Sequence, residues 1–372
     1  MLRTLFLQVH LYLGLITGLV IAVVCFTGAV LVFEEEIEHA LNPEFYFVEA
    51  QPQRLPLKEV RTRLETSLPG DTVTSVTVYA DPNRSLQFRS TEGARVFANP
   101  YTGAHLGTSV YRETFLYTVF ALHRWLLAGD TGKLIVGTCT LLFLLILISG
   151  AWVWWPRNRN QLKARTRITR KRGWKRFNFD LHVSLGIYAT VFLFIFAFTG
   201  LAWSFEWFHN GIYKVTGSEQ IRTEPPLSVY PTDAHPVSWD TVLHQARTVI
   251  DDAPSYRISA PRDSVATFSV RALPEGAPHP QASSTIYLDQ YTSEVLSVQH
   301  FADRNLGSRV RGTFYPVHVG TIFGWPTRIL AFIACLLGAT FPITGTLIWY
   351  NKRSKRWKSQ WQKRKEKRES EA

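Results

Sequence analysis

The sequence predicts an α-helical membrane protein: four transmembrane helices in two tandem repeats, plus two small α+β extracytoplasmic modules. Three observations carry that prediction. Of the 372 residues, 46% are hydrophobic and only 19% charged, and the apolar residues gather into four stretches, roughly 9–33, 134–155, 182–208 and 329–350. Each reaches the length of about 20 residues that crosses a bilayer core. Two ordinary polar segments lie between them, and the two halves of the chain repeat one another. The distribution excludes a soluble globular enzyme, a disordered chain and a small disulfide scaffold.

Charge sets the orientation. The formal net charge is +12, but it is concentrated. Residues 157–180 hold ten Lys or Arg against one acid, and residues 351–372 hold ten against three. Both blocks abut apolar spans, so the positive-inside rule puts them in the cytoplasm, where they touch anionic lipid. The N-terminus is then also cytoplasmic, and the two long polar segments face outward. The protein is expected in a membrane, with membrane lipids as partners and no nucleic acid. The first apolar run exceeds the 7–15 residues of a signal-peptide core and runs into Glu34, Glu35 and Glu36 without a small-x-small site, so it is expected to remain as an anchor. The three cysteines, Cys25, Cys139 and Cys335, all fall inside spans, and there is no C-x-x-C-H for covalent haem.

The duplication fixes the organisation. Span one reads His10-Leu11-Tyr12-Leu13-Gly14, with Thr27-Gly28 seventeen residues after the histidine. Span three reads His182-Val183-Ser184-Leu185-Gly186, with Thr199-Gly200 seventeen after its own. Before span two stands His123, with Gly129 six residues on and Ser149-Gly150 twenty-six on. Before span four stands His318, with Gly324 and Thr344-Gly345 at the same intervals. The expected segments are transmembrane helix 1 at 1–33, a first outward module at 34–112, an interfacial segment with helix 2 at 113–156, and a basic cytoplasmic loop at 157–180. Helix 3 follows at 181–209, a second module at 210–311, an interfacial segment with helix 4 at 312–350, and a basic tail at 351–372.

The outward segments repeat as well. The first reads as a helix at 57–68, strands at 72–80, 85–89 and 95–99, and a turn at Tyr101-Thr102-Gly103. The second reads as a helix at 239–250 capped by Ser238, strands at 256–259, 264–271 and 285–288, and a matching turn at Tyr291-Thr292-Ser293.

Two span–module–span units, each opening H-x-x-L-G with a Thr-Gly near the span end, resemble the PepSY-associated transmembrane family over nearly the whole chain. The resemblance implies PepSY-like periplasmic modules and a role in iron uptake, since the family includes haem-containing inner-membrane ferric-siderophore reductases. Some relatives carry a fused flavin-reductase region. Here the chain ends in a short basic tail, so the electron donor is expected to be a separate molecule, a quinol or a cytoplasmic reductase.

Four of the eleven histidines hold matched positions, His10 with His182 and His123 with His318. Ionisable groups at membrane depth mark function by default, and neutral imidazole is a common haem ligand. Along span one, His10, Gly14, Thr17, Ile21 and Gly28 share a stripe, as do His182, Gly186, Ala189, Leu193 and Gly200 in span three. A glycine one turn after a histidine leaves room for a flat macrocycle, while the pair Gly14 and Gly18 also suits close helix packing. Met1 is the sole methionine and no cysteine repeats in register, so any haem is expected to be non-covalent, b-type and bis-histidine. Two such haems are expected, ligated by His10 with His182 near the cytoplasm and by His123 with His318 near the outward face. Arg124, Arg328, Lys175 and Arg176 lie near these histidines and are candidates for the propionates, Arg124 first among them.

The remaining histidines separate into two groups. His39 and His209 are alternative outward ligands, and His105, His235, His244, His279 and His300 read as solvated surface residues. The Glu34–Glu38 cluster reads as the wet end of a helix. Tryptophans at the span ends read as an interfacial belt. No nucleotide loop, zinc motif or catalytic triad is present. The leading expectation is therefore a b-haem ferric-siderophore reductase, with the chelate in a cleft between the modules and above the outward haem. A non-redox binding or regulatory membrane protein and a siderophore transporter are the alternatives. Colour of the purified protein discriminates the first, and the lack of carboxylates at the span centres counts against the last.

Overall fold

The computed structural model describes all residues except 69, 172, 222–223, 231–234 and 371–372, with the backbone alone described for 355–370. The chain forms two compact units, one of residues 1–32, 119–209 and 317–372, the other of 33–118 and 210–316. Four helices are long and apolar enough to cross a membrane: α1 (Leu2–Leu31), α6 (Gly129–Trp154), α8 (Trp174–Ser204) and the first thirty residues of α12 (Trp325–Ser370). Between them, in chain order, come α2 (Glu34–Leu41), α3 (Pro43–Tyr46), α4 (Leu57–Thr66), α5 (Phe115–Trp125), α7 (Arg159–Thr166), α9 (Glu206–Val215), α10 (Trp239–Val249) and α11 (Leu306–His318).

In the helical unit the main contacts run around a ring, α1 to α6 to α8 to α12 and back to α1. Helices α1 and α8 are therefore diagonal, as are α6 and α12. Each helix buries a narrow stripe and leaves large apolar residues outside. On α1 the stripe is Thr17, Gly18, Ile21, Cys25 and Ala29, while Tyr12, Ile16, Leu19 and Phe26 are exposed, as a lipid-facing side requires. Gly18 lets the chain of α12 approach, since a β-carbon there would lie 3.1 Å from Pro342.

The third span is shifted from its apolar run: α8 begins at Trp174, inside the expected basic loop at 157–180 and ahead of the expected start at 181. It ends at Ser204 rather than 208, with Phe205 extended and α9 starting at Glu206, where a carboxylate favours a helix N-terminus over a bilayer interior. The reversal from α5 to α6 takes three residues and puts Leu126 (φ 51°), Leu127 (φ 58°) and Gly129 (φ 54°) in the left-handed region. The corresponding turn before α12 uses Gly320 (φ 79°) and Gly324 (φ 70°). That conformation is why Gly129 and Gly324 recur at one interval after a histidine.

The second unit holds one antiparallel sheet of eight strands rather than two separate modules. The strands are β1 (Val73–Tyr79), β2 (Leu86–Ser90), β3 (Arg95–Ala98), β4 (His105–Ser109), β5 (Ser255–Ser259), β6 (Phe268–Ala272), β7 (Ser284–Leu288) and β8 (Val295–Gln299). Their order is β4-β3-β2-β1-β5-β6-β7-β8. The expected halves meet where β1 pairs with β5, from Ser75 opposite Ser259 to Tyr79 opposite Ser255. Pairing these two first strands leaves no backbone edge in the middle of the sheet, so the expected cleft between modules is replaced by continuous sheet.

Alternation along the strands puts Val76, Phe88, Ile258, Val270 and Ile286 on one face. There α4 (Val60, Leu64) and α10 (Val242, Ala246) complete a single core. Asp240 ties the halves further, its carboxylate accepting from the Leu57 and Lys58 amides at 2.7 and 3.0 Å and so capping α4 from α10. Ser238 caps α10 as expected, accepting from Thr241 N at 3.1 Å. The two predicted turns are Asx turns: Asn99 accepts from the Tyr101 amide and Asp289 from the Tyr291 amide, each at 2.8 Å.

The Glu34–Glu38 cluster does more than end a helix in water. Arg95 donates to both carboxylate oxygens of Glu38, at 2.8 and 2.6 Å, and Tyr111 donates to Glu34 at 2.7 Å. Burial opposes ionisation of Glu38, but the hydrogen bonds and charge of Arg95, aided by Tyr46, outweigh it and hold the carboxyl below its ordinary range. A depressed folded pKa gives stability that is complete above the ordinary glutamate value of about 4.3 and lost as pH falls through the folded value. Thermal unfolding of the full chain across pH 3–7 should show that loss. Glu38→Gln should be less stable near neutrality, by about 1–3 kcal/mol, and should lose less in acid.

Candidate functional site

The four matched histidines meet as two pairs inside the helical unit. His10 of α1 and His182 of α8 come from diagonal helices, and their ring centres lie 6.3 Å apart with planes at 84°. His123, near the end of α5, and His318, at the end of α11, lie 6.2 Å apart with planes at 66°. Their helices lead into α6 and α12, the other diagonal. The pairing follows from the connectivity: each histidine sits near a helix end, and the ring of helices puts equivalent ends across from one another.

Each imidazole rests on a glycine of another helix. A β-carbon at Gly150 would lie 2.8 Å from Cε1 of His10, at Gly345 3.2 Å from that of His182, at Gly28 3.1 Å from that of His123, and at Gly200 3.3 Å from that of His318. The residue before each glycine is a buried or half-buried Ser or Thr, and these residues or nearby carbonyls hold Nδ1. Nδ1 of His182 bonds Thr344 Oγ1 at 2.8 Å and that of His318 bonds Thr199 Oγ1 at 2.9 Å. Nδ1 of His10 meets the Ile146 carbonyl at 2.9 Å. That of His123 meets the Val24 carbonyl at 2.9 Å and Thr27 Oγ1 at 3.3 Å. The carbonyls require a proton on Nδ1 of His10 and His123, which leaves Nε2 of both with its lone pair outward.

That donor set fits an axially ligated metal. Two imidazoles bound end-on to one metal through bonds of about 2 Å place their ring centres roughly 6 Å apart, the spacing of both pairs. A hydrogen bond at the non-ligating nitrogen is the usual outer-shell partner of a metal-bound histidine. One turn after His10 and His182 on their own helices, a β-carbon at Gly14 or Gly186 would meet nothing within 4 Å, so both positions are open. Among the described residues no three His, Cys, Asp or Glu side chains converge on a metal position, so the pairs stand as two-ligand sites. From His10 to Gly28, the seat of His123, α1 rises about 27 Å at 1.5 Å per residue.

Other predicted residues fall in different places. Arg124 donates to the Trp203 carbonyl at 3.4 Å, and the Trp203 ring lies 5.3 Å from His318, so Arg124 stands beside the His123–His318 pair. Arg328 donates to the Val32 carbonyl at 2.7 Å. Arg176 is engaged by Asp180 at 2.8 Å, which makes it a poor candidate for a propionate. His39 belongs to the sheet-bearing unit. It lies in α2, where its ring packs on Tyr46 and Phe47 at 4.4 and 5.2 Å. His209 begins the second turn of α9. His105, His235, His244 and His300 are exposed as expected, but His279 is buried, 5.0 Å from the ring of Phe301. Its flanking prolines hid that burial.

Two residues were missed. Asn178, one turn before His182 on α8, is buried and donates to the Thr344 carbonyl at 3.1 Å, steadying the seat of that histidine. Asp180 is buried and accepts from the Thr169 amide. Both fell inside the segment read as a basic loop, 157–180, whereas α8 begins at Trp174.

An apolar four-helix bundle with two imidazole pairs between its helices defines a class: a membrane protein with four spanning helices and paired buried histidines. The family model for the PepSY-associated TM region matches residues 7–352, and the chain belongs to that family. No curated protein matches the chain.

The seats give a direct test. Gly150→Val should displace His10 and cost about 1–3 kcal/mol in thermal stability. Gly14→Ala should leave that stability unchanged, because its β-carbon meets open space. If a flat ligand lies against α1, Gly14→Ala should nonetheless lower the Soret absorbance per chain.

Proposed function

We propose that this chain is a multi-pass protein of the bacterial inner membrane, with both termini in the cytoplasm, that carries electrons outward to a ferric siderophore. The single observation behind the reading is the spacing and tethering of the two histidine pairs. Each has two imidazoles with ring centres about 6 Å apart and Nδ1 already engaged. His10 with His182, and His123 with His318, would each hold one non-covalent b-type haem, and the two haems would supply one-electron transfer.

The rest of the work falls to the chain itself. His10 with His182 and His123 with His318 present Nε2, while Thr344, Thr199, Thr27 and the carbonyls of Ile146 and Val24 fix ring orientation. The apolar helices would keep water from both sites, and Arg124, near His123 and His318, would meet a propionate there. A quinol or a cytoplasmic reductase would supply the electrons. The basic blocks at 157–180 and 351–372 support the orientation. The matched seats and a strand order symmetric about β1 and β5 support two tandem repeats, each a span, a PepSY-like half-sheet and a span.

The test is transmembrane electron transfer by the purified chain in proteoliposomes, with dithionite inside and a ferric chelate with ferrozine outside. Ferrous iron should form only in vesicles holding the protein. His10→Ala and His318→Ala should each reduce the rate to that of empty vesicles. Equal rates in the variants and the wild type, or no rate above empty vesicles, would overturn the reading.

A further inference from the structure

The face of the sheet opposite the core carries arginines that the histidine sites do not use. Register lays out two rows across it. One runs Arg95, Arg89, Ser75, Ser259, Ser269, Tyr287, from β3 through β2, β1, β5 and β6 to β7. The other runs Gln87, Thr77, Arg257, Arg271, Thr285, from β2 to β7. Arg257 and Arg271 are thus direct cross-strand neighbours, an arrangement that destabilises a sheet by repulsion. The short hydroxyl side chains around them leave a hollow of about 330 Å³, lined by residues including Ser75, Arg89, Arg257, Ser259, Arg271 and Tyr287. It straddles the β1–β5 seam and exists only because the two halves share one sheet.

Arg95 shows how this unit treats an arginine with a structural role, since Glu38 neutralises it through both oxygens. Arg89, Arg257 and Arg271 are different. All three are exposed, and among the described residues no carboxylate lies within ion-pairing distance of any of them. Arg257 gives one bond to Thr77 Oγ1 at 3.2 Å, and Arg89 one long bond to the Gly93 carbonyl at 3.4 Å. Most of their donors are left over. A guanidinium fork matches a carboxylate geometrically, and three around hydroxyls make a concave anion site. The volume is at the small end of ligand pockets, which run from about 300 to 1,000 Å³.

We infer that this hollow is the chelate site, and that it takes a small ferric polycarboxylate complex of net negative charge in preference to neutral or cationic hydroxamate complexes. The iron in this statement rests on the redox reading above, whereas the anion preference rests on the arginines. The three forks bind the outer carboxylate oxygens, the Ser and Thr hydroxyls bind the remainder, and Tyr287 forms an aromatic wall.

The experiment is calorimetric titration of the full chain in neutral detergent with gallium(III) citrate, which is not reduced under these conditions. Binding should weaken as salt is raised. The double variant R257Q/R271Q should bind at least about tenfold more weakly, with an unchanged absorption spectrum and an equal or higher melting temperature, because a repulsive pair has been removed. A neutral gallium trihydroxamate should bind wild type at least about tenfold more weakly than gallium citrate does. Absence of gallium citrate binding, undiminished binding by the double variant, or equal binding of the trihydroxamate would each overturn the inference. Loss of binding on transfer to anionic-lipid nanodiscs would assign the arginines to lipid headgroups and overturn it as well. Gallium keeps the two readings separable: a colourless protein can still bind it, and a red one that does not bind it loses only this inference.

Discussion

A glycine lies beneath each of the four imidazole rings, and the rest of the helical unit follows from that contact. Every ring sits against the backbone of a helix other than its own, closer than any β-carbon would allow at Gly150 and barely more loosely at Gly28, Gly200 and Gly345. Packing fixes the ring plane, and the hydroxyl or carbonyl beside the glycine takes Nδ1. Neither interaction is strong in isolation. Together they hold a polar ring inside an apolar bundle with one nitrogen satisfied and the other aimed elsewhere, which is the preorganisation an axial ligand requires.

Much of this was legible in the sequence, and the reason is repetition. A histidine and a Thr-Gly seventeen residues apart mean little once and a great deal twice. The intervals identified the four histidines, their pairing and their level in the bundle. They did not reveal what the Ser/Thr-Gly dipeptides are for. Within α1, Thr27-Gly28 looks like a companion to His10, whereas it seats His123 from α5. The apparent unit in the sequence is a helix, and the physical unit is a contact between helices. No periodicity within one segment encodes that.

The segments between the spans failed differently. Six strands and the two helices that pack on the sheet, α4 and α10, were readable from alternation and caps, but β4, β8, α9 and α11 were not. The sequences of β4 and β8, HLGTS and VLSVQ, are short and partly polar, as sheet edges are. The larger error was in counting modules. Strands β1 and β5 alternate like any half-buried strand, and nothing local says that their unpaired edges seek each other. The consequence is functional as well as architectural. The seam brings Arg257 beside Ser75 and Thr77, and puts arginines from both halves around one hollow, where separate modules would have held two unrelated patches.

The central claim is that each imidazole pair is a separate haem site. It is tested most directly by the reduced-minus-oxidised absorption spectrum of the purified chain, with a pyridine haemochrome count per polypeptide, in wild type and in His182→Ala and His123→Ala. The account predicts low-spin b-type bands, two haems per chain in the wild type, and one in each variant. A colourless protein from haem-sufficient cells, or variants that retain both haems, would contradict it.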